Sequence, residues 1–144
     1  MSDCFYCSDE YKKYMKKVAV LPHSRVYLNN EQEYVGRCVV VLKSHKQELF
    51  ELTPDELHGF MDDVANVANA INSVFNPDKI NYAIYGDIDS HIHMHVVPKH
   101  KGCKNWGWPF EITAIDTPVK YLNDNEYGKV IEDIRCHLRA DSYV

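Results

Sequence analysis

The sequence predicts an α+β protein: an antiparallel sheet of five strands, one main helix and a helix near the C-terminus. Three observations carry that expectation. Five short apolar runs are bounded by turn formers. One long segment repeats apolar residues at helical spacing behind a start signal. Residues 125 to 139 repeat that period once more.

In chain order, the charged residues 9 to 17 read as a short surface helix. Strands follow at Val18 to Leu21, Arg25 to Leu28 and Arg37 to Leu42, with Pro22, Asn29-Asn30 and Gly36 between them. Thr53-Pro54-Asp55-Glu56 then offers a capping hydroxyl, a proline at the first helical position and a carboxylate three residues after the cap. Leu57, Phe60, Met61, Val64, Val67, Ala68, Ile71 and Val74 form one apolar stripe, which faces a core. Asn76-Pro77-Asp78 ends this helix. Two strands, Lys79 to Tyr85 and His91 to Val97, flank the loop Gly86 to Ser90, and Pro98 is expected to stop the second. A loop with Trp106-Gly107-Trp108-Pro109 leads to the final helix, with Val130, Ile131, Ile134 and Leu138 on one side.

A length of 144 residues fits one domain, 1–144. The net charge of −5 argues against a nucleic-acid partner and means that an anionic substrate needs local capture. No apolar run is long enough to span a membrane, and Met1 to Cys7 lacks the order of a signal peptide, so the expectation is a cytoplasmic protein. Five cysteines, an odd number without a secretion signal, argue against a disulfide framework. Cys4 and Cys7 alone have a spacing with chemical meaning. Cys38, inside an apolar run, reads as a small buried side chain, and Cys136 reads the same way.

Chemistry concentrates in His91-Ile92-His93-Met94-His95-Val96-Val97. On a strand the three imidazoles share one face, about 6.6 Å apart at their origins, while Ile92, Met94 and Val96 turn to the core. Isolated histidines such as His58, His100 and His137 read as surface residues. A row of three suits either a metal site or a neutral imidazole nucleophile. Spacing does not choose between them.

The pattern resembles the signature of the histidine-triad (HIT) nucleotide hydrolases and transferases, in their zinc-containing bacterial form. The stretch Gly36-Arg37-Cys38-Val39-Val40-Val41-Leu42-Lys43-Ser44-His45 is similar to the family's strand before its main helix, and the capped helix and the strand pair around Gly86 follow in the family's order. The resemblance covers roughly residues 4–110, leaving 111–144 as a C-terminal extension. It implies that His93 attacks the α-phosphorus of a nucleotide to give a nucleotidyl-histidine that water hydrolyses. It implies that His95 donates to the non-bridging phosphate oxygens. Asn29, sixteen residues before His45, stands where the family contacts the ribose, and a turn role in Asn29-Asn30 is the equal alternative. Asp87 and Ser90 would lie beside the phosphate and its leaving group.

The resemblance also implies a structural zinc held by Cys4, Cys7, His45 and His91, which makes the first histidine of the row a pin. The plainer alternative is a loose terminal pair of cysteines; a redox pair lacks its βαβ setting. Relatives are homodimers through the main helix and a neighbouring strand, so a nucleotide and a second copy are the expected partners. Three positions depart from the family: Asp87 replaces Gln or Asn, Ile88 replaces Ser or Thr, and Leu42 replaces a common proline. Trp106 and Trp108 read as packing residues, with base stacking as the alternative, and Lys99 and Lys101 could meet outer phosphates.

The expected function is hydrolysis at the α-phosphate of dinucleoside polyphosphates or nucleoside phosphoramidates, releasing a nucleoside monophosphate. A nucleotide-binding sensor with little turnover is the alternative, and a metallohydrolase whose histidine row holds a catalytic zinc is the third reading.

Overall fold

Alternation along the central strands sorts their side chains between two differently covered faces. The structure, a computed structural model, describes residues 3–111 and 120–139. Strands β1 (Met15–Val20), β2 (Ser24–Asn29) and β3 (Cys38–Leu42) form a meander. Helix α1 (Pro54–Phe75), strands β4 (Lys79–Ile84) and β5 (His93–Lys99) and helix α2 (Asp124–His137) follow. The five strands run β1-β2-β3-β5-β4. They pair antiparallel throughout, as the sequence predicts.

One face of the sheet carries Val26, Leu28, Cys38, Val40, Met94 and Val96 against Phe60, Val64, Val67 and Ile71 of α1. Tyr127, Ile131 and Ile134 of α2 close the same core. Arg135 on α2 donates from Nε to the Val18 carbonyl at 2.7 Å, which ties the helix to β1. The opposite face presents Tyr27, Val39 and Val41 beneath Cys4, Phe5, Tyr6 and Tyr11, and Val97 beneath Tyr34 and Phe110. The register Val41↔His93 and Val39↔His95 puts the histidines on this second face.

Helix α1 starts as its sequence directs. Thr53 Oγ1 accepts from the Glu56 N–H at 3.2 Å, and a Glu56 carboxylate oxygen accepts from the Thr53 N–H at 3.2 Å. Such a cap is worth about 1 kcal/mol. Asn76 ends the helix in the left-handed region at φ 46°. Gly36, at the turn into β3, has φ +99°, and a Cβ there would meet the Phe75 ring at 2.5 Å. Gly36→Ala is therefore expected to cost about 2 kcal/mol, from backbone strain and overpacking together. Urea unfolding reads this as a lowered midpoint at unchanged slope, and an unshifted midpoint would show that Phe75 yields.

Several boundaries differ from the sequence expectation. The helix expected over 9–17 contracts to a 3-10 turn at Glu10–Lys13, because Met15, Lys16 and Lys17 pair with Asn29, Leu28 and Tyr27. Pro98 does not stop β5. It pairs with Ile80 beyond Val96, the last residue matched to β3, so it sits where β5 is paired on one side and a missing N–H is tolerated. Cys136 is exposed on α2 rather than buried. Cys38 is fully buried, and burial pushes its thiol up to about 12. The expected extension 111–144 falls partly outside the described residues; its helix is α2.

Candidate active site and metal centre

The candidate metal centre is built by two short segments brought to one corner of the sheet. In the first, the N–H groups of Cys7 and Ser8 both donate to the Cys4 carbonyl, at 3.2 and 2.9 Å, closing a turn that sets both sulfurs on one side. In the second, the Leu42 N–H donates to the Ile92 carbonyl at 3.0 Å and the Ile92 N–H to the Lys46 carbonyl at 2.9 Å, which carries His45 alongside His91. The ligand atoms of Cys4, Cys7, His45 and His91 lie within 4.8 Å of one another.

Individual separations test the fit. Cys4 Sγ and Cys7 Sγ stand 3.4 and 3.5 Å from His91 Nδ1, Cys7 Sγ stands 3.5 Å from His45 Nδ1, and the two Nδ1 atoms are 3.3 Å apart. Tetrahedral zinc, with bonds of about 2.3 Å to sulfur and about 2.05 Å to nitrogen, requires roughly 3.6 and 3.3 Å for these pairs. His91 Nε2 lies 2.7 Å from the Leu42 carbonyl. A carbonyl only accepts, so Nε2 carries the proton and Nδ1 turns its lone pair to the sulfurs, as a ligating imidazole must. Burial and the neighbouring Cys4 sulfur push the Cys7 thiol up, a shift that a bound cation reverses. The donor set fits zinc.

His93 and His95 occupy the next two positions along the row and are 5% and 6% exposed. His93 Nδ1 donates to the His91 carbonyl at 2.7 Å, which by the same argument leaves its Nε2 as a lone pair. Burial lowers the proton affinity of His93; the bond to His91 and the Asp89 carboxylate partly oppose this. The Tyr6 ring lies 4.8 Å from the His93 ring, and the His95 ring 5.2 Å away. Tyr85 and Phe110 flank His95 at 5.9 and 5.8 Å. Two neutral imidazoles under aromatic cover can supply a nucleophilic nitrogen and a neutral donor.

His95 is pulled down from 6.5 to about 3, first by burial, then by Arg37 and His93. Its folded value lies below its unfolded one, so the unfolded chain binds the extra proton in acid. Its contribution is therefore complete above about pH 6.5 and is lost as pH falls toward about 3. Acid unfolding of the parent should show this as stability falling by a few kcal/mol across that window. A His95→Gln variant is expected to lose part of that slope; an identical pH dependence would sink the assignment.

The remaining predicted positions divide. Asn29 is the last residue of β2 rather than a turn residue, and its Oδ1 is buried without a partner, as are Asn30 Oδ1, Arg37 Nε and His95 Nδ1 among the described residues. Asp87 is exposed. Ser90, with Asp89, Cys4, His45 and His91, lines a cleft of about 260 Å³ that does not include Asp87. Asp89 is the acidic residue whose field reaches His93 and Tyr6. Lys99 is buried and donates to the carbonyls of Asn105 and Trp108, at 2.8 and 2.5 Å, so it pins the tryptophan loop instead of meeting phosphate. Lys101 remains on the surface. Trp106 and Trp108 are exposed, not packed, and line a second cleft of about 420 Å³ with Lys79, Asn81 and Lys99. His58, His100 and His137 are on the surface as expected.

Among the described residues, the first member of the row of three joins the donor cluster and the other two do not. Sequence reasoning missed Tyr6, Arg37 and Asp89. Tyr6 had a signal, its place between two candidate ligands; Arg37 had one, a charge at the head of an apolar strand.

A family model described as "HIT domain" matches residues 10–102. Among solved structures, a histidine triad protein from Sinorhizobium meliloti is similar at TM-score 0.80 and 20% identity, over 91% of this chain and 95% of that one. A hypothetical histidine triad nucleotide-binding protein from Sulfolobus tokodaii matches at TM-score 0.69 and 20% identity, over 93% and 91%. A Zn-bound histidine triad family protein from Mycobacterium smegmatis matches at TM-score 0.65 and 20% identity, over 94% and 92%. Comparison with curated proteins finds no match.

Proposed function

Since this chain belongs to the HIT domain family, we propose that it is a nucleotidyl hydrolase acting at the α-phosphate of nucleoside phosphoramidates or dinucleoside polyphosphates. The observation that carries the reading is the hydrogen bond from His93 Nδ1 to the His91 carbonyl, which leaves Nε2 unprotonated. In the first step the Nε2 lone pair forms a P–N bond, and the bond from phosphorus to the leaving oxygen or nitrogen breaks, that atom taking up a proton. The ring gains positive charge, which the Nδ1–H bond to His91 shares. His95 donates to the non-bridging oxygens. Water then attacks phosphorus and gives up a proton to solvent, the P–N bond breaks, and a nucleoside monophosphate leaves with His93 restored.

Asn29, with its unpartnered buried oxygen, is the ribose contact in this scheme. Cys4, Cys7, His45 and His91 hold a structural zinc, which supplies cross-linking and no reaction step. In this reading the partner is a nucleotide and not a nucleic acid, and the compartment is the cytoplasm. Among the described residues no helix is long and apolar enough to cross a membrane. A second copy docks on α1 and the edge strand β4, where Met61, Tyr82 and Ile84 are exposed. Residues 1–144 act as one domain.

The test is a panel of both substrate classes, quenched in acid and read by intact mass. A nucleotidyl adduct on His93 is expected, and turnover with no adduct at any time would end the covalent scheme. A second reading, a nucleotide-binding module with little turnover, is favoured by Asp87 and by the Tyr6 ring over His93. It predicts affinity without an adduct. Under the hydrolase reading, Asp87→Asn is expected to raise kcat about threefold or more by removing a charge that repels the phosphate.

A further inference from the structure

A site built of neutral imidazoles leaves the capture of an anion unexplained in a chain whose net charge is −5. Arg37 stands on that face. It immediately precedes β3, and continuing the register beyond Cys38↔Val96 sets it opposite Val97 and diagonal to His95. It is 2% exposed. Its Nη1 meets the Glu31 carboxylate at 3.0 Å and the Glu111 carbonyl at 3.4 Å, and the guanidinium lies 5.5 Å from the centre of the Phe110 ring.

Among the described residues, the Nε of Arg37 is nevertheless buried with no partner. A buried guanidinium with a donor left over is costly, and packing alone would be served as well by an apolar side chain. Its surroundings hold other polar groups in the same state. Asn29, whose N–H donates to the Arg37 carbonyl at 3.2 Å, keeps a buried oxygen unpartnered. Phe110 touches both the guanidinium and the His95 ring, and His95 Nδ1 is also without a partner. An unused donor, an unused acceptor and an unused ring nitrogen thus share one face of the sheet.

We propose that Arg37 is a positioning residue for the anion: its fixed charge beside His95 draws a nucleotide's phosphate onto the imidazole pair. This rests on the nucleotide reading given above. The bond to Glu31 and the Phe110 ring hold the guanidinium in place, so it acts through its field and needs no direct contact. That field reaches its neighbours: after burial, Arg37 is the next influence lowering the proton affinity of His95, and it opposes the larger upward effect of burial on Tyr6.

Calorimetric titration of the full chain with AMP and adenosine, and with GMP and guanosine, tests it. Arg37→Gln is expected to weaken the monophosphate by about tenfold or more and leave the nucleoside unchanged, as a unit charge roughly 8 Å away through an effective dielectric of about 20 implies. Arg37→Lys should keep most of the affinity. Glu31→Gln is expected to tighten the monophosphate severalfold, which loss of a merely structural ion pair would not do. Unchanged monophosphate affinity in Arg37→Gln, or equal losses for nucleoside and monophosphate, overturns the proposal. If Arg37→Gln does not fold, Glu31→Gln decides, and monophosphate binding no tighter than the parent's overturns it. A parent that binds neither partner of a pair overturns the nucleotide reading and this inference with it.

Discussion

His93→Ala is expected to lower kcat on a nucleoside phosphoramidate by at least about a thousandfold while leaving the Kd for the corresponding monophosphate within about threefold. The asymmetry follows from where the ring sits. His93 is covered by Tyr6 and bonded to a backbone carbonyl, so it contributes little surface for a ground-state ligand to grip. Its Nε2 matters when a bond to phosphorus forms. Side-by-side turnover and titration of parent and variant give both numbers. Turnover at the parent rate would show that the nucleophile lies elsewhere, and a loss confined to affinity would make His93 a binding residue only.

The second large effect concerns the metal centre. Parent protein purified without chelator is expected to carry about one zinc per chain, and Cys4→Ser to carry little. Melting temperature should fall by about 10 °C in Cys4→Ser, and by a similar amount in the parent after exhaustive chelation. The basis is that four ligands from residues 4 and 7, 45 and 91 are held together at one corner of the sheet. Emission spectroscopy and scanning calorimetry check the two halves independently. A metal-free protein with an unchanged melting temperature would leave those four residues without the assigned role.

How much of this was legible in the chain depends on the range of the interaction concerned. The capping box at Thr53 and Glu56 and the stripe on α1 are local, with partners three or four residues apart, and both formed where the pattern put them, except that Met61 of the expected stripe is exposed. The alternation of His93 and His95 with Met94 and Val96 is equally local and divided the faces correctly, while His91 and Ile92, expected in the strand, precede β5. Pro98 misled because tolerance of a proline depends on whether a neighbouring strand continues beside it, which nothing near residue 98 encodes. Lys99 misled for a similar reason: its bonds to Asn105 and Trp108 require the later loop to fold back. Tyr6 and Arg37 were hardest. Tyr6 and His93 are brought together by the turn between two cysteines at one end of the chain and a central strand far along it, a juxtaposition with no periodic trace.

That turn has a consequence for handling the molecule. In the proposed scheme residues 4 and 7 would hold the ion, and the ring between them covers the proposed nucleophile. Stripping agents, thiol oxidants and alkylators that reach residue 7, which is open to solvent, therefore strike ligand and cover in one blow. Ageing stocks should lose their ion and their turnover along a common time course, so batch assays gain meaning only when normalised to metal content.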